Sequence, residues 1–119
     1  MNDKYRRKAA SDPQDLERLL IERQWQGDVE GMVALYEKDA VLDNGQGRLA
    51  VGEDEIRTVF AECVSQGRRF CRGKQSNAVV SGDLALTSTR LPDGSVTAEV
   101  ARRQADGTWL WVIDRFSVL

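Results

Sequence analysis

The feature that most constrains this chain is a change of periodicity near its middle. Before about residue 65, apolar residues recur at helical spacing. From Arg68 onward that period is gone, and turn signals arrive at regular intervals. Gly82-Asp83, Pro92-Asp93-Gly94 and Asp106-Gly107 each separate runs rich in β-branched and aromatic residues. The pattern predicts four strands, at about 69–81, 84–91, 95–104 and 108–118. The intervening turns are short, so these strands should be antiparallel. Helices followed by strands is the α+β order.

Three helices are expected in the first half. Ser11-Asp12-Pro13 reads as a helix start, with Leu16, Leu19 and Leu20 as its apolar stripe. The stripe continues into Arg23 and Gln24. Gly27-Asp28 closes this helix and caps a second, whose apolar side is Met32, Val33, Leu35 and Tyr36. Short strands are expected at Ala40–Asn44 and Arg48–Val51, around an Asn-Gly turn. Glu53, Asp54 and Glu55 then put negative charge on the first turn of a third helix. Ile56, Val59, Phe60 and Cys63 with Val64 form its buried face. A chain of 119 residues, 41% hydrophobic, suits a single domain over 13–119. Residues 1–12 read as a flexible polar tail, in which Lys4, Arg6, Arg7 and Lys8 either touch an acidic partner or are simply solvated.

Composition removes several classes of function. The net charge is -2, which argues against a nucleic-acid partner. No apolar run is long enough to span a membrane, and the N-terminus lacks a secretory core, so a cytoplasmic location is expected. Histidine is absent. That excludes Ser-His-Asp and Cys-His catalysis and histidine metal centres. No glycine pattern matches a phosphate loop or dinucleotide fingerprint. No metal and no cofactor is expected. The two cysteines, Cys63 and Cys71, read as reduced thiols, Cys63 as a packed apolar side chain.

Both faces of the last strand are largely apolar. Strict alternation puts Leu110, Val112, Asp114, Phe116 and Val118 on one face and Trp109, Trp111, Ile113 and Arg115 on the other. Three helices cover only one side of so small a sheet. The face with Trp109, Trp111 and Ile113 is therefore expected to meet a second subunit as a homodimer. The alternative is that the tryptophans lie flat on an exposed sheet.

Four segments carry a family resemblance: Gln26–Glu30, Leu35–Leu42, Val51–Ile56 and Asp106–Arg115. In that order they resemble the SnoaL-like and ketosteroid-isomerase-like branch of the nuclear transport factor two-like superfamily, over about residues 13–118. The resemblance implies a cone-shaped α+β barrel: three N-terminal helices on a strongly curved, mainly antiparallel sheet, with a hydrophobic pocket between. It does not imply one chemistry, because this fold hosts isomerases, dehydratases, epoxide hydrolases and non-enzymatic assembly domains. The isomerase base position falls at Asn44, and the isomerase tyrosines fall at Leu20 and Phe60. Glu99 matches the second oxyanion acid, and Asp114 resembles the last-strand aspartate of epoxide hydrolases. No known catalytic set is complete.

The site expected here comes from register. A two-residue Asp106-Gly107 hairpin sets Ala101 opposite Val112, Thr97 opposite Phe116, and Glu99 opposite Asp114. Two carboxylates would then sit side by side, Cβ atoms roughly 4.5–5.5 Å apart. Such a pair must share a proton or be neutralised by a cation, for which Arg23 is the candidate. On this reading Asp114 transfers protons to or from a small organic ligand and Glu99 is its protonated partner. Arg23, Gln24 and Asn44 bind the ligand, within walls of Leu20, Phe60, Val112 and Phe116. The competing readings stay open. A one-residue slip would send Glu99 to the other face, Asp114 would serve as a structural anchor, Arg23 would reach for water, and Asn44 would only make the turn. As functions, a cofactor-free lyase, isomerase or hydrolase stands beside a non-catalytic ligand-binding or dimerisation module.

Overall fold

The computed structural model describes residues 7–119. Its elements run α1 (Asp15–Trp25), α2 (Val29–Val33), β1 (Tyr36–Asp43), β2 (Leu49–Val51), α3 (Glu53–Ser65), β3 (Lys74–Gln75), β4 (Val79–Ser81), β5 (Leu84–Thr87), β6 (Thr89–Arg90), β7 (Ala98–Arg103) and β8 (Trp109–Arg115). The main sheet has six strands in the order β2-β1-β8-β7-β5-β4, and β3 pairs with β6 in a separate ribbon. The sheet is open, with free edges at β2 and β4, so the expected barrel does not close. Every pairing is antiparallel except β1 with β8. No helix of the described residues is long and apolar enough to cross a membrane.

The helices form for the reasons legible in the sequence. Leu16, Leu19, Leu20, Arg23 and Gln24 are all buried along one side of α1. At its end Gly27, at φ 69°, donates to Gln24, and Asp28 donates to Arg23. This is the left-handed glycine stop that satisfies orphan carbonyls. Asp28 then accepts from the Gly31 N–H and caps α2, while Arg7 holds its carboxylate in a two-pronged ion pair. Part of the expected tail is therefore packed: Ala10 bridges to Trp109 and is buried. Lys4 and Arg6 lie outside the described residues.

Two expected boundaries moved. Helix α2 stops at Val33, and Tyr36 opens β1 instead of closing the helix. The run 69–81 is not one strand. Residues Arg68–Phe70 hang on α1 through side-chain bonds: Gln24 binds Arg68 and Phe70, and the Trp25 indole donates to the Phe70 carbonyl at 2.9 Å.

The β7–β8 hairpin decides which residues face the helices. Its loop has three residues, Ala105-Asp106-Gly107, with Gly107 at φ 86° and Gln104 N–H donating to the Thr108 carbonyl. Arg103 therefore pairs with Trp109 and Ala101 with Trp111, one step away from the expected register. A β-bulge then skips Val112, and Val100 pairs with Ile113 and Glu99 with Asp114. The two one-residue shifts cancel at the acid pair. They do not cancel for the tryptophans. Alternation is broken at Val112, so Trp109, Trp111 and Asp114 all face inward, and Ile113 and Arg115 face out.

Trp109 and Trp111 are thus core residues, 7% and 1% exposed, and not part of an outer dimer face. Trp111 packs on Tyr36 with ring centroids 5.1 Å apart, and Tyr36 on Phe60 at 5.7 Å. Leu16, Met32, Leu35, Leu42 and Ile56 complete this core. Trp111→Ala should accordingly cost about 3–5 kcal/mol of folding stability, measured by urea unfolding, rather than leave the fold intact and split an oligomer.

Candidate functional site

Pleated register places a polar row across the inner face of the sheet. Thr87 of β5 pairs with Glu99 of β7, Glu99 with Asp114 of β8, and Asp114 with Leu42 of β1. All four are buried under the helices; Glu99 and Asp114 are each 3% exposed. The neighbouring row, one residue away on each strand, is aliphatic and faces out. Polar inside and aliphatic outside inverts the usual preference, which marks the inner row as the unusual one.

Each carboxyl has a partner and a remainder. The Tyr36 hydroxyl donates to Asp114 Oδ2 at 2.5 Å, and the Thr87 hydroxyl donates to Glu99 Oε1 at 2.7 Å. Asp114 Oδ1 has no hydrogen-bond partner among the described residues, and neither has the Glu17 carboxyl. Among these residues the only fully sealed side-chain polar atom without a partner is Trp111 Nε1. The free carboxyl oxygens are therefore not sealed. Glu17, Glu99 and Asp114 all line a cavity of about 330 Å³ that opens to solvent, within the size range of ligand pockets. Its apolar walls include Leu20, Phe70, Leu91 and Phe116.

Burial sets the protonation of this cluster. It pushes the Asp114 carboxyl well above the usual carboxylate range, and the charge of Glu99 pushes it further, against the lowering effect of the Tyr36 bond. Burial also raises Glu99, opposed by the hydroxyls of Thr97 and Thr87. Glu17 is raised to about 7, by burial first and by Glu99 second. Tyr36 is held neutral by burial and by Asp114. The only basic side chain among the described lining residues is Arg68, which is exposed. Burial likewise raises the Cys63 thiol, away from reactivity.

Of the site residues proposed from sequence, Asp114, Glu99, Leu20, Asn44 and Phe116 line the cavity. Arg23, Gln24, Phe60 and Val112 do not. Arg23 is buried, but its guanidinium donates to the carbonyls of Gly31 and Lys8 and so ties α1 to α2 and the N-terminal segment. Gln24 serves the 68–70 segment. Phe60 is core, and Val112 is the bulge residue. Asn44 stands at the cavity, with its side-chain oxygen accepting from Gln46 and Arg48 N–H groups in the turn.

Sequence reasoning missed Glu17 and Tyr36. Glu17 lies one turn before Leu20, on the side of α1 that leads into the pocket, a signal that was available. Tyr36 had none, because it continues the apolar spacing of α2.

A family model described as a SnoaL-like domain matches residues 17–118. The chain belongs to the SnoaL-like domain family. Solved structures agree on the fold. A protein provisionally assigned as a calcium/calmodulin-dependent protein kinase type II association domain, from Thiobacillus denitrificans, is 15% identical, with TM-score 0.75 over 92% of this chain and 96% of its own. A ketosteroid isomerase-like protein from Erwinia carotovora is 20% identical, with TM-score 0.69 over 86% and 89%. A protein of unknown function with a cystatin-like fold, from Nostoc punctiforme, is 20% identical, with TM-score 0.68 over 86% and 84%. No curated protein matches the sequence significantly. At these identities the likeness carries the fold of the SnoaL-like domain and not its chemistry.

The raised carboxyls give the domain a characteristic pH response. A folded state that holds Glu17 protonated up to about 7, against an ordinary value of 4.5, binds more protons than the unfolded chain between those values. Stability is then greatest below the unfolded value and falls as pH rises through the folded one; Asp114 and Glu99 act in the same direction. Thermal melts should show Tm declining between about pH 5 and about pH 8, and Glu17→Gln should flatten part of that slope.

Proposed function

We propose that this SnoaL-like domain is a small-molecule pocket protein that performs carboxylate acid–base chemistry without a cofactor, as a lyase, isomerase or hydrolase. The observation that carries this reading is Asp114: a buried carboxyl with one oxygen bonded to Tyr36 and the other open to the cavity. Asp114 is the proton-transfer group. Glu99 keeps it company as a proton-holding neighbour, and Tyr36 is a positioning residue that also lowers its pKa. A carboxylate in a water-poor site is a stronger base than one in bulk water, and such positioned groups contribute about 10²–10⁴-fold to rate. The ketosteroid isomerase-like neighbour supports the class of reaction by likeness of fold alone.

The test needs no known substrate. Ring opening of a nitrobenzisoxazole begins with removal of a carbon-bound proton and reports any desolvated carboxylate base. Purified protein should accelerate it with a rate that rises with pH. Asp114→Asn should lose about 10²-fold or more while circular dichroism stays unchanged, and Tyr36→Phe should move the pH profile upward. Equal rates for wild type and Asp114→Asn would overturn the proposal.

A specific observation also favours a homodimer. The outward row runs unbroken across all six strands: Val51, Val41, Ile113, Val100, Leu86 and Val79, each register-paired with the next. Five inter-strand steps make it roughly 24 Å long. Ile113 and Leu86 within it are about half exposed, and an aliphatic stripe of this length suits a second copy packed face to face. Ile113 remains from the expected contact set; Trp109 and Trp111 do not. Sedimentation should give twice the chain's 13.3 kDa, and Ile113→Asp should give monomers with the pocket intact.

A further inference from the structure

We infer that the pocket of this domain takes an organic ammonium ligand: a small molecule with an apolar or aromatic body and one protonated amine. The inference rests on the pocket reading above and names the substrate class for it.

Three observations converge. The first is charge. The cavity is lined by four acids, Glu17 of α1, Glu99 of β7, Asp114 of β8 and Asp93 of the β6–β7 turn. Arg68, exposed on the 66–73 segment, is the only basic side chain among the described lining residues. Arg23, the cation expected to neutralise the acid pair, points away to backbone carbonyls. The second is unmet hydrogen bonding. Asp114, 3% exposed, aims an unpartnered Oδ1 into the cavity, and Glu17 offers a carboxyl with no bond of its own among the described residues. A primary ammonium brings three donors and no acceptor, the complement of such a set. The third is aromatic. Phe70 and Phe116 flank the same cavity with centroids 6.3 Å apart and planes at 75°. Ring faces attract a desolvated cation as well as an apolar body.

An inorganic cation fits less well. No three acid or thiol side chains among the described residues come together closely enough to hold a metal ion. An anionic ligand would face buried carboxyls without a buried cation, and a neutral one would leave the acids as they are. An ammonium replaces the protons that the cluster otherwise retains, so binding is coupled to proton release. The groups that face the amine and titrate or carry charge are Glu17, Glu99 and Asp114, with Tyr36 behind Asp114, Asp43 beside it, and Asp93, Arg68 and Cys71 at the rim. Burial holds the first three acids protonated above the usual range. Affinity for an amine should therefore rise with pH across the range in which they ionise, as long as the amine itself stays charged.

The experiment compares three probes of one shape on the wild-type domain: phenethylamine, phenethyl alcohol and hydrocinnamate. Binding is read by calorimetry and thermal shift at about pH 6 and about pH 8. The expected result is an affinity for the amine at least tenfold above that for either isostere at the higher pH, and a weaker preference at the lower one. Glu17→Gln and Glu99→Gln should each reduce the preference several-fold. Equal or tighter binding of the alcohol or the carboxylate overturns the inference, as does binding of none of the three. The wild-type comparison decides the matter even if a variant does not fold. Loss of amine preference with nitrobenzisoxazole activity intact would remove the ligand class alone; loss of both would remove the pocket reading itself.

Discussion

One extra residue in β8 determines the chemistry available to this fold. The bulge at Val112 lets Trp109 and Trp111 enter the core and still brings Asp114 inward further along the same strand. Without it, strict alternation would put Asp114 and the two tryptophans on opposite faces. Both tryptophans join the apolar core cluster, as large buried side chains. Asp114 supplies a polar atom in the same layer, near enough to Tyr36 to be bonded. Core and pocket are thus built from one strand, and the register shift is the price of having both.

The cost of burying three acids is met in different ways along the inner face. The hydroxyls of Tyr36 and Thr87 donate to Asp114 and Glu99, so neither must lie naked in a low-dielectric site. What remains is relieved by retaining protons. A structural role alone would be served by an apolar residue at lower free-energy cost. The free carboxyl oxygens at the solvent-connected cavity are the feature on which the proposed ligand reading rests.

The sequence made the order of helices and strands legible, because periodicity and turn residues are local signals. It also made Leu16, Leu20, Ile56 and Phe60 legible as core. The Glu99–Asp114 pairing emerged from counting back from a two-residue turn, and it holds only because the three-residue loop and the bulge shift register by equal and opposite steps. Neither step is written in local spacing: Gly107 marks a left-handed position, but loop length depends on which backbone groups pair across it. Tyr36 was hidden for a related reason. Its role depends on the parallel pairing of β1 with β8, joining segments some seventy positions apart, and no window along the chain contains both. Arg23 misled because a buried guanidinium on the inward stripe looks like a counter-ion until its carbonyl partners are seen.

The 68–70 segment divides the pocket into two kinds of material. The acids sit on hydrogen-bonded strands and a helix, whereas the Phe70 wall belongs to a stretch without regular structure, suspended from α1 by Gln24 and Trp25. That stretch pairs with no strand of the main sheet, and Phe70 packs on Phe60 and Phe116 instead. One wall of the cavity is thus an appended strip, while its acidic side is fixed by the regular elements of the fold.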